Sequence, residues 1–246
     1  HRQWISGRRR DVFRSRNYGQ SWEVISPDLT TNDKSKQRSS GGVVVTDHTA
    51  AEFPCPILAI AESPAKPGVI WVGTDDGHVQ VTKDGGKTWT NVVKNMPGLP
   101  ANSWIPAIEA SHVDAGTAYV AVDRHRNDDF APYAFKTTDY GQTWTPIRGN
   151  LPAKGYVHVV REDPKNRNLL YAGTELGVFA SWDGGGRWVS IRQNLPPVAV
   201  NDMQIHPREN DLIIATHSRG IFVLDDLTPL QRLGDAMKSE TFAFDI

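Results

Sequence analysis

Short apolar stretches recur along the chain, and each ends at a turn that contains Gly, Pro or Asp. Four such stretches follow one another in each of three segments, near residues 57–94, 104–148 and 156–192. In the first segment they are "ILAIAESP", "VIWVGT", "HVQVT" and "TNVV". Runs of four to eight apolar, often β-branched residues between turn residues predict β-strands. We therefore predict three sheets of four strands, in which the chain runs back and forth.

Incomplete groups of strands flank these three segments. Residues 1–26 are expected to supply a second, third and fourth strand, and residues 202–226 a first, second and third. In the tail, residues 227–246, Thr228 is a suitable N-cap and Pro229 suits the first helical position, which predicts a short helix to about Met237. The last seven residues, "ETFAFDI", are expected to form a strand that completes the last sheet.

An eight-residue pattern marks the passage from the third to the fourth strand. It occurs as "SRNYGQSW" from Ser15, "TKDGGKTW" from Thr82, "TTDYGQTW" from Thr137 and "SWDGGGRW" from Ser181. The Asp or Asn accepts hydrogen bonds within a tight turn, the Gly permits a positive φ, and the Trp packs between neighbouring sheets. A structural role is therefore predicted for Asn17, Gly19, Trp22, Asp84, Gly86, Trp89, Asp139, Gly141, Trp144, Asp183, Gly185 and Trp188.

These four patterns resemble the Asp-box, or BNR, repeats of sialidase-like and sortilin-like propellers. From about Val12 to Gln231 the chain resembles bacterial BNR-repeat proteins of the glycosyl hydrolase type. The resemblance implies an all-β fold, a β-propeller of four-stranded Asp-box blades with about five blades visible. It also implies membership of a larger propeller, with further blades or domains N-terminal to this segment, and a secreted or periplasmic location, although this segment carries no signal peptide.

Charge and cysteine content exclude several function classes. Twenty-seven basic and 28 acidic residues leave a net charge of −1, so no overall field attracts nucleic acid. No apolar run reaches the roughly 20 residues of a membrane span. Cys55 is the single cysteine, which excludes an internal disulfide and a cysteine-based metal cluster. We expect no cofactor and no metal, since the spacing of His125, Asp128 and Asp129 fits no specific ligand pattern.

The long loops indicate where a site would lie. In a meandering sheet, loops from second to third strands and from one sheet to the next share the rim opposite the eight-residue turns. The longest such loops span residues 26–55 and 123–132. Glycoside hydrolysis uses two carboxyl groups about 5 to 10 Å apart, and the candidates on this rim are Asp123, Asp129, Asp75 and Glu175. Candidate substrate-binding residues are His125, Asp128, Trp104, His48, Glu52 and Arg219, with Trp104 suited to stacking on a sugar ring.

Alternatives remain open for every one of these residues. Each carboxylate could instead form a salt bridge with Arg124, Arg126 or Lys83, or face water. The arginine trio and the Tyr and Glu pair of a sialidase-type site cannot be placed in this sequence. Three functions follow: a glycoside-hydrolase-like propeller that binds or cleaves carbohydrate, a non-catalytic sortilin-like propeller that binds peptide or protein, and a structural fragment of a larger chain.

Overall fold

The computed structural model describes residues 4–8, 10–36, 55–238 and 240–244. In these ranges the chain forms 18 β-strands and two α-helices of four residues each. The predicted all-β class is therefore confirmed. No helix within these ranges has the length and apolar character needed to cross a lipid bilayer.

The strands form five antiparallel sheets in which strands consecutive in sequence are hydrogen-bonded neighbours. Sheet 1 comprises β1 (Trp4–Arg8), β2 (Asp11–Ser15) and β3 (Glu23–Val24). Sheet 2 comprises β4 (Ile57–Glu62), β5 (Ile70–Thr74), β6 (Val79–Thr82) and β7 (Thr90–Asn91). Sheet 3 comprises β8 (Trp104–Ala110), β9 (Ala118–Asp123), β10 (Tyr133–Thr137) and β11 (Thr145–Pro146). Sheet 4 comprises β12 (Val157–Glu162), β13 (Leu170–Thr174), β14 (Gly177–Ser181) and β15 (Val189–Ser190). Sheet 5 comprises β16 (Val200–Ile205), β17 (Leu212–Thr216) and β18 (Ile221–Leu224).

The chain divides into two compact units. The first unit contains His1–Asp123 and Lys136–Thr145, and the second contains Arg124–Phe135 and Pro146–Ile246. Sheets 1 and 2 belong to the first unit and sheets 4 and 5 to the second. The strands of sheet 3 are divided between the two units.

The first unit has a core between sheets 1 and 2. Val12 of β2 and Ile25, just after β3, are buried against Ile70 and Val72 of β5, and Trp89 packs against the same cluster. All five residues of β5 are buried, which fits its continuous apolar sequence because both faces of the strand are covered. Burial of this cluster contributes hydrophobic stabilisation to these two sheets.

In the second unit, a buried carboxylate attaches the first helix to sheet 4. Asp163 follows β12 and is fully buried. It accepts hydrogen bonds from the hydroxyl of Tyr171 on β13 (3.2 Å) and from the side-chain amide of Gln231 (2.9 Å). Gln231 is the last residue of helix α1 (Thr228–Gln231). Because a buried carboxylate needs partners, this network fixes the helix beside β12 and β13.

The eight-residue patterns form four turns with one hydrogen-bond scheme, here called the repeated turns (Ser15–Trp22, Thr82–Trp89, Thr137–Trp144 and Ser181–Trp188). In the second repeated turn, the hydroxyl of Thr82 donates to Asp84 (2.8 Å) and accepts from the N–H of Gly86 (3.0 Å). Asp84 also accepts from the N–H of Thr88 at 2.9 Å. The same three bonds occur in the other repeated turns, around Asn17, Asp139 and Asp183.

The glycine and tryptophan of a repeated turn contact the sheet that precedes it in the chain. Gly86 has φ +97°, and a Cβ atom there would lie 2.3 Å from the carbonyl oxygen of Ile25. The indole N–H of Trp89 donates to the same carbonyl at 3.0 Å. In the second unit, Trp188 likewise donates to the carbonyl of Ile147 at 2.8 Å. Only glycine permits both this φ and this close approach.

Trp22 departs from the expected packing between sheets, since 44% of its surface is exposed. Its indole N–H bonds the carbonyl of Gly19 within its own turn, at 3.1 Å. In the other two cases given above, the indole reaches the residue just after the last strand of the preceding sheet. Sheet 1 has no preceding sheet within the described residues, and this accounts for the exposure of Trp22.

The C-terminal tail differs from the sequence prediction in two ways. The predicted single helix is two helices, α1 and α2 (Leu233–Ala236), and Leu227 rather than Thr228 is the N-cap of α1. The carboxylate of Asp226 accepts a hydrogen bond from the backbone N–H of Thr228 at 3.0 Å. Thr228 is the first residue of α1. Arg232 then leaves helical geometry, with φ −104° and ψ 9°, and separates the helices.

The predicted C-terminal strand is absent from the described part of the tail. Residues 240–244 form no strand, and sheet 5 has three strands in the described structure. The ring of Phe242 lies 4.8 Å from the Arg232 guanidinium and 5.0 Å from the ring of Phe244. These contacts pack the aromatic residues against the helical region instead of extending sheet 5.

Candidate functional site

The long loop between β9 and β10 is folded around one carboxylate. Asp129 accepts hydrogen bonds from the Arg124 guanidinium (2.9 Å), the Tyr133 hydroxyl (3.0 Å) and the N–H of Ala131 (3.2 Å). Burial alone would raise the pKa of Asp129, but these three hydrogen bonds outweigh it and lower the pKa. A general acid in glycoside hydrolysis needs a raised pKa. Asp129 is therefore unsuited to the role of the acid, and it holds the loop together through Arg124 and Tyr133. A role as the second, ionised carboxyl group stays a prediction.

The same loop presents aromatic rings to the next strand of the second unit. His125 stacks on Tyr156 with ring centroids 5.1 Å apart, and Phe130 approaches Tyr156 at 6.3 Å. Tyr156 precedes β12 and also contacts His158 of that strand at 4.8 Å. We call His125, Phe130, Tyr156 and His158 the aromatic cluster. Phe130 is 42% exposed while Tyr156 is buried, so a buried ring supports an exposed one.

A carboxylate lies at the edge of the aromatic cluster. Glu175, in the turn between β13 and β14, is 3.2 Å from the His158 ring nitrogen, and 42% of its side chain is exposed. Its backbone N–H bonds the carbonyl of Tyr156 at 3.1 Å, which holds the turn beside the cluster. Leu176, the next residue, is also exposed. The second-to-third-strand turn and the sheet-to-sheet connection therefore meet, as strand parity predicts.

Two further residues of the second unit lie on exposed turns. Asp128 closes the short 3₁₀ turn His125–Asn127 in left-handed geometry, with φ 58°, and its side chain is exposed. Arg219 is exposed in the turn between β17 and β18. Within the described part of the chain, Arg219 forms no hydrogen bond or ion pair with the aromatic cluster.

In the first unit, the carboxyl group of Asp75 has a pKa well above its ordinary value. Burial, and next to it the negative charge of Asp76, raise the pKa of Asp75 to about 6, although a hydrogen bond from the Cys55 N–H opposes the shift. Its Oδ2 accepts that N–H at 3.0 Å. Its Oδ1 is buried and has no hydrogen-bond partner in the described residues. A pKa near 6 suits a general acid, but an enclosed oxygen cannot reach a polysaccharide.

Cys55, Asp75 and Asp76 form a compact group of potential metal ligands. One ligand atom from each lies within 4.8 Å of the other two. Asp76 is already engaged, because its Oδ2 accepts the N–H of Thr31 (2.7 Å) and the Thr31 hydroxyl (2.6 Å). Its Oδ1 accepts from Thr74. The group thus attaches the segment around Thr31 to the turn after β5, and the absence of a metal stays a prediction.

Asp123 and Trp104 lie opposite each other in the first unit. They are partners in the register of β8 and β9. Asp123 is buried and Trp104 is half-buried, which weakens the case for Asp123 as an acid in contact with a polymer. His48 and Glu52 lie outside the described residues.

Some residues of the aromatic cluster and its neighbouring carboxylate were predicted from the sequence, and others were not. The structure brings together His125 and Glu175 from the nominated set, through Tyr156 and His158. Phe130, Tyr156 and His158 were not nominated. Phe130 lies in the same long loop as the nominated residues, and its exposure on a polar loop is the feature that could have identified it. The positions of Tyr156 and His158 before and within a strand gave no comparable indication.

Comparisons with known proteins place the chain among β-propellers. No protein-family model matches it. A xyloglucanase of Hypocrea jecorina (strain QM6a) is 28% identical over 135 residues, which is 50% of this chain and 16% of that protein. The chain therefore spans a small part of this relative's length.

Three solved structures share the fold. The glycoside hydrolase family 74 (GH74) xyloglucanase from Xanthomonas campestris matches with TM-score 0.64 and 19% identity, over 92% of this chain and 35% of that chain. The GH74 enzyme of Niastella koreensis gives TM-score 0.63 and 20% identity over the same shares, 92% and 35%. YCF48 bound to D1 peptide gives TM-score 0.55 and 17% identity over 90% and 61%. At these identities the likeness establishes the fold, and the predicted β-propeller is confirmed.

Proposed function

We propose that this chain is a carbohydrate-binding β-propeller segment of the kind found in glycoside hydrolases, and that its ligand lies on the aromatic cluster. One observation carries the proposal: the exposed Phe130 ring, supported by Tyr156, lies in one connected set with the half-exposed carboxylate of Glu175. Aromatic rings pack against the apolar faces of sugar rings, and a carboxylate accepts hydrogen bonds from hydroxyl groups. The partial identity to a xyloglucanase makes xyloglucan the first ligand to test.

Two finer assignments belong to the same proposal. We propose that the repeated turns are Asp-boxes of the BNR type, because all four share the Ser/Thr, Asp/Asn, Gly and Trp positions. We also propose a location outside the cytoplasm, where polysaccharides of this class occur.

Binding is better supported than hydrolysis by the candidate carboxylates. Asp129 is held by Arg124 and Tyr133 and has a lowered pKa, and Asp123 is buried. Among the candidate carboxylates of the second unit, Glu175 is exposed and therefore open to a ligand. Hydrolysis needs a second carboxyl group across the bond, so cleavage by this chain would require a partner for Glu175.

Affinity gel electrophoresis against a polysaccharide panel that includes xyloglucan tests the proposal. We expect retardation of the wild-type chain and about tenfold weaker binding for Phe130→Ala, a loss of about 1.4 kcal/mol. Tyr18→Ala removes an exposed aromatic ring from the first repeated turn and serves as the matched control, with unchanged binding expected. Absence of retardation by every polysaccharide, or equal binding by Phe130→Ala, would contradict the proposal.

A reducing-sugar assay separates binding from cleavage. Release of reducing ends by the wild-type chain that disappears in Glu175→Gln, with retardation in the gel preserved, would extend the proposal to catalysis. Retardation without release would limit it to binding.

A further inference from the structure

Sheets 4 and 5 of the second unit carry the same irregularity in their first strand. In β12 the pairing with β13 shifts by one residue at His158. In β16 the pairing with β17 shifts in the same way at Asn201. A β-bulge of this kind redirects one side chain relative to the regular alternation of the strand, and bulges are common beside binding sites. His158 and Asn201 therefore hold equivalent positions in two successive sheets.

The turn after the second strand also has an equivalent residue in each of these sheets. The N–H of Glu175 bonds the carbonyl of Tyr156 at 3.1 Å, and the N–H of His217 bonds the carbonyl of Ala199 at 2.9 Å. Each carbonyl belongs to the residue two positions before the bulge of its sheet. In sheet 4 the bulge and the turn meet, because 3.2 Å separates the His158 ring nitrogen from the Glu175 carboxylate. The same backbone arrangement brings bulge and turn together in sheet 5.

The corresponding pair of sheet 5, Asn201 and His217, is open to solvent. Both residues are exposed, and within the described part of the chain neither side chain forms a hydrogen bond. Ala199 stands where sheet 4 has the Tyr156 ring, which contacts His158 at 4.8 Å. No ring therefore covers the pair of sheet 5 from that position. An Asn amide and a His ring both donate and accept hydrogen bonds, so the pair is suited to a ligand with hydroxyl groups.

The two sheets pack closely next to these pairs. Gly173 of β13 lacks a Cβ, and a Cβ atom there would lie 2.8 Å from both a side-chain carbon and the carbonyl oxygen of Val200 on β16. Gly173 lies two residues before Glu175, and Val200 directly precedes Asn201. The close approach of the two strands thus places Asn201 and its neighbouring turn beside the end of β13 that carries Glu175.

Arg161 of β12 fixes the position of β16. Its guanidinium donates to the carbonyl of Met203 (2.7 Å) and to the carboxylate of Asp202 (2.8 Å). Asp202 directly follows Asn201, so these bonds hold the strand next to the bulge. Groups that are already fixed lose little conformational freedom when a ligand binds, and this favours affinity.

We propose that Asn201 and His217 form a second binding site for the carbohydrate ligand, so that a long glycan continues from Glu175 across sheet 5. This inference rests on the proposed function, because the first part of the glycan lies on the aromatic cluster. From Phe130 to Glu175, that part of the surface is a path with successive contacts of 6.3, 4.8 and 3.2 Å. A short oligosaccharide already covers this path.

The second site indicates the class of ligand. Sugar residues beyond Glu175 reach Asn201 and His217, whose side chains exchange hydrogen bonds with sugar hydroxyl groups. A single sugar or a short oligosaccharide on the aromatic cluster does not reach them. The ligand that uses the whole surface is therefore a polysaccharide, bound along its length rather than by one terminal sugar.

Isothermal titration calorimetry with xyloglucan oligosaccharides of one and of two repeating units tests the second site on the intact chain. We expect wild type to bind the two-unit oligosaccharide at least about tenfold more tightly than the one-unit oligosaccharide, because the longer ligand adds hydrogen bonds. His217→Ala and Asn201→Ala should each reduce this advantage to about threefold or less, with unchanged affinity for the one-unit oligosaccharide. Phe130→Ala should weaken the binding of both oligosaccharides.

Arg208→Ala is the matched control for these variants. Arg208 is exposed on the turn between β16 and β17, which strand parity places on the opposite rim, so we expect both affinities to be unchanged. Circular dichroism checks that every variant folds. His217→Ala leaves the bulge of β16 intact, and it decides the test if Asn201→Ala disturbs the strand.

The outcomes separate this inference from the proposed function. Equal affinity of wild type for the two oligosaccharides, or a full tenfold advantage in His217→Ala, would overturn the second site. If binding still depends on Phe130 in that case, the proposed function stands without it. Absence of binding by both oligosaccharides would overturn the second site and the proposed function together.

Discussion

At the scale of single residues, the environment of a carboxyl group decides whether it can act on a ligand. Asp129 and Asp75 both lie in loops and were equal candidates in the sequence. Three hydrogen bonds lower the pKa of Asp129, whereas burial raises that of Asp75 to about 6. Oδ1 of Asp75 is buried, and both oxygens of Asp129 accept hydrogen bonds within their loop. Glu175 lies on a turn with 42% of its side chain exposed, which leaves its carboxylate open to a ligand.

Asp75 makes the stability of the first unit depend on pH. An unfolded Asp has a pKa of about 3.9, so the folded state holds the proton more tightly. The contribution of this raised pKa to the free energy of unfolding is fully present below about pH 4 and is lost as pH rises through about 6. We expect Asp75→Asn to remove this loss. Its free energy of unfolding relative to wild type should therefore increase by about 1 to 2 kcal/mol from pH 5 to pH 7.5, after allowance for partial solvent screening.

Urea denaturation at a series of pH values measures this effect. Asp128→Asn is the matched control, because it removes one negative charge at an exposed position. A difference between Asp75→Asn and wild type that is the same at pH 5 and pH 7.5 would show that Asp75 does not titrate in the way described.

At the scale of elements, the repeated turn combines a local hydrogen-bond scheme with a contact to another sheet. The local part could be predicted from the sequence, since Ser/Thr, Asp and Gly at fixed spacing are sufficient to specify it. The exposure of Trp22 could not, because it depends on whether a preceding sheet is present. The aromatic cluster likewise depends on Tyr156 meeting a loop about thirty residues earlier, which no local pattern encodes.

Gly86→Ala tests the contact between a repeated turn and the preceding sheet. A Cβ atom would meet the Ile25 carbonyl at 2.3 Å, and φ is +97°, so we expect destabilisation of about 3 kcal/mol from the clash and the backbone strain together. Gly98→Ala is the matched control. Gly98 has φ +70° but no atom within 4 Å of a Cβ, so strain alone should cost about 1 kcal/mol. Equal losses in urea denaturation would show that the contact with Ile25 contributes nothing.

At the scale of the whole molecule, repetition made the fold class predictable and left the ends of the repeat series uncertain. Four copies of one turn, each between short strands, were enough to predict a β-propeller. The tail was expected to supply the fourth strand of sheet 5, but its described residues 240–244 form no strand. Alternating Phe residues suit a strand and a helical contact equally well. In the structure, Phe242 packs against Arg232 instead. The sequence therefore predicted the repeated part and failed where the repeat stops.

Hydrogen–deuterium exchange with and without saturating xyloglucan oligosaccharide tests the proposed function most directly. We predict slower exchange confined to residues 124–132, 155–158 and 174–177, the segments that carry the aromatic cluster and Glu175. We also predict that Phe130→Ala weakens this protection at a fixed, sub-saturating oligosaccharide concentration, in line with its about tenfold lower affinity, while the repeated turns exchange at the same rate in both states. Protection centred on the repeated turns, or oligosaccharide binding without any change in these three segments, would contradict it.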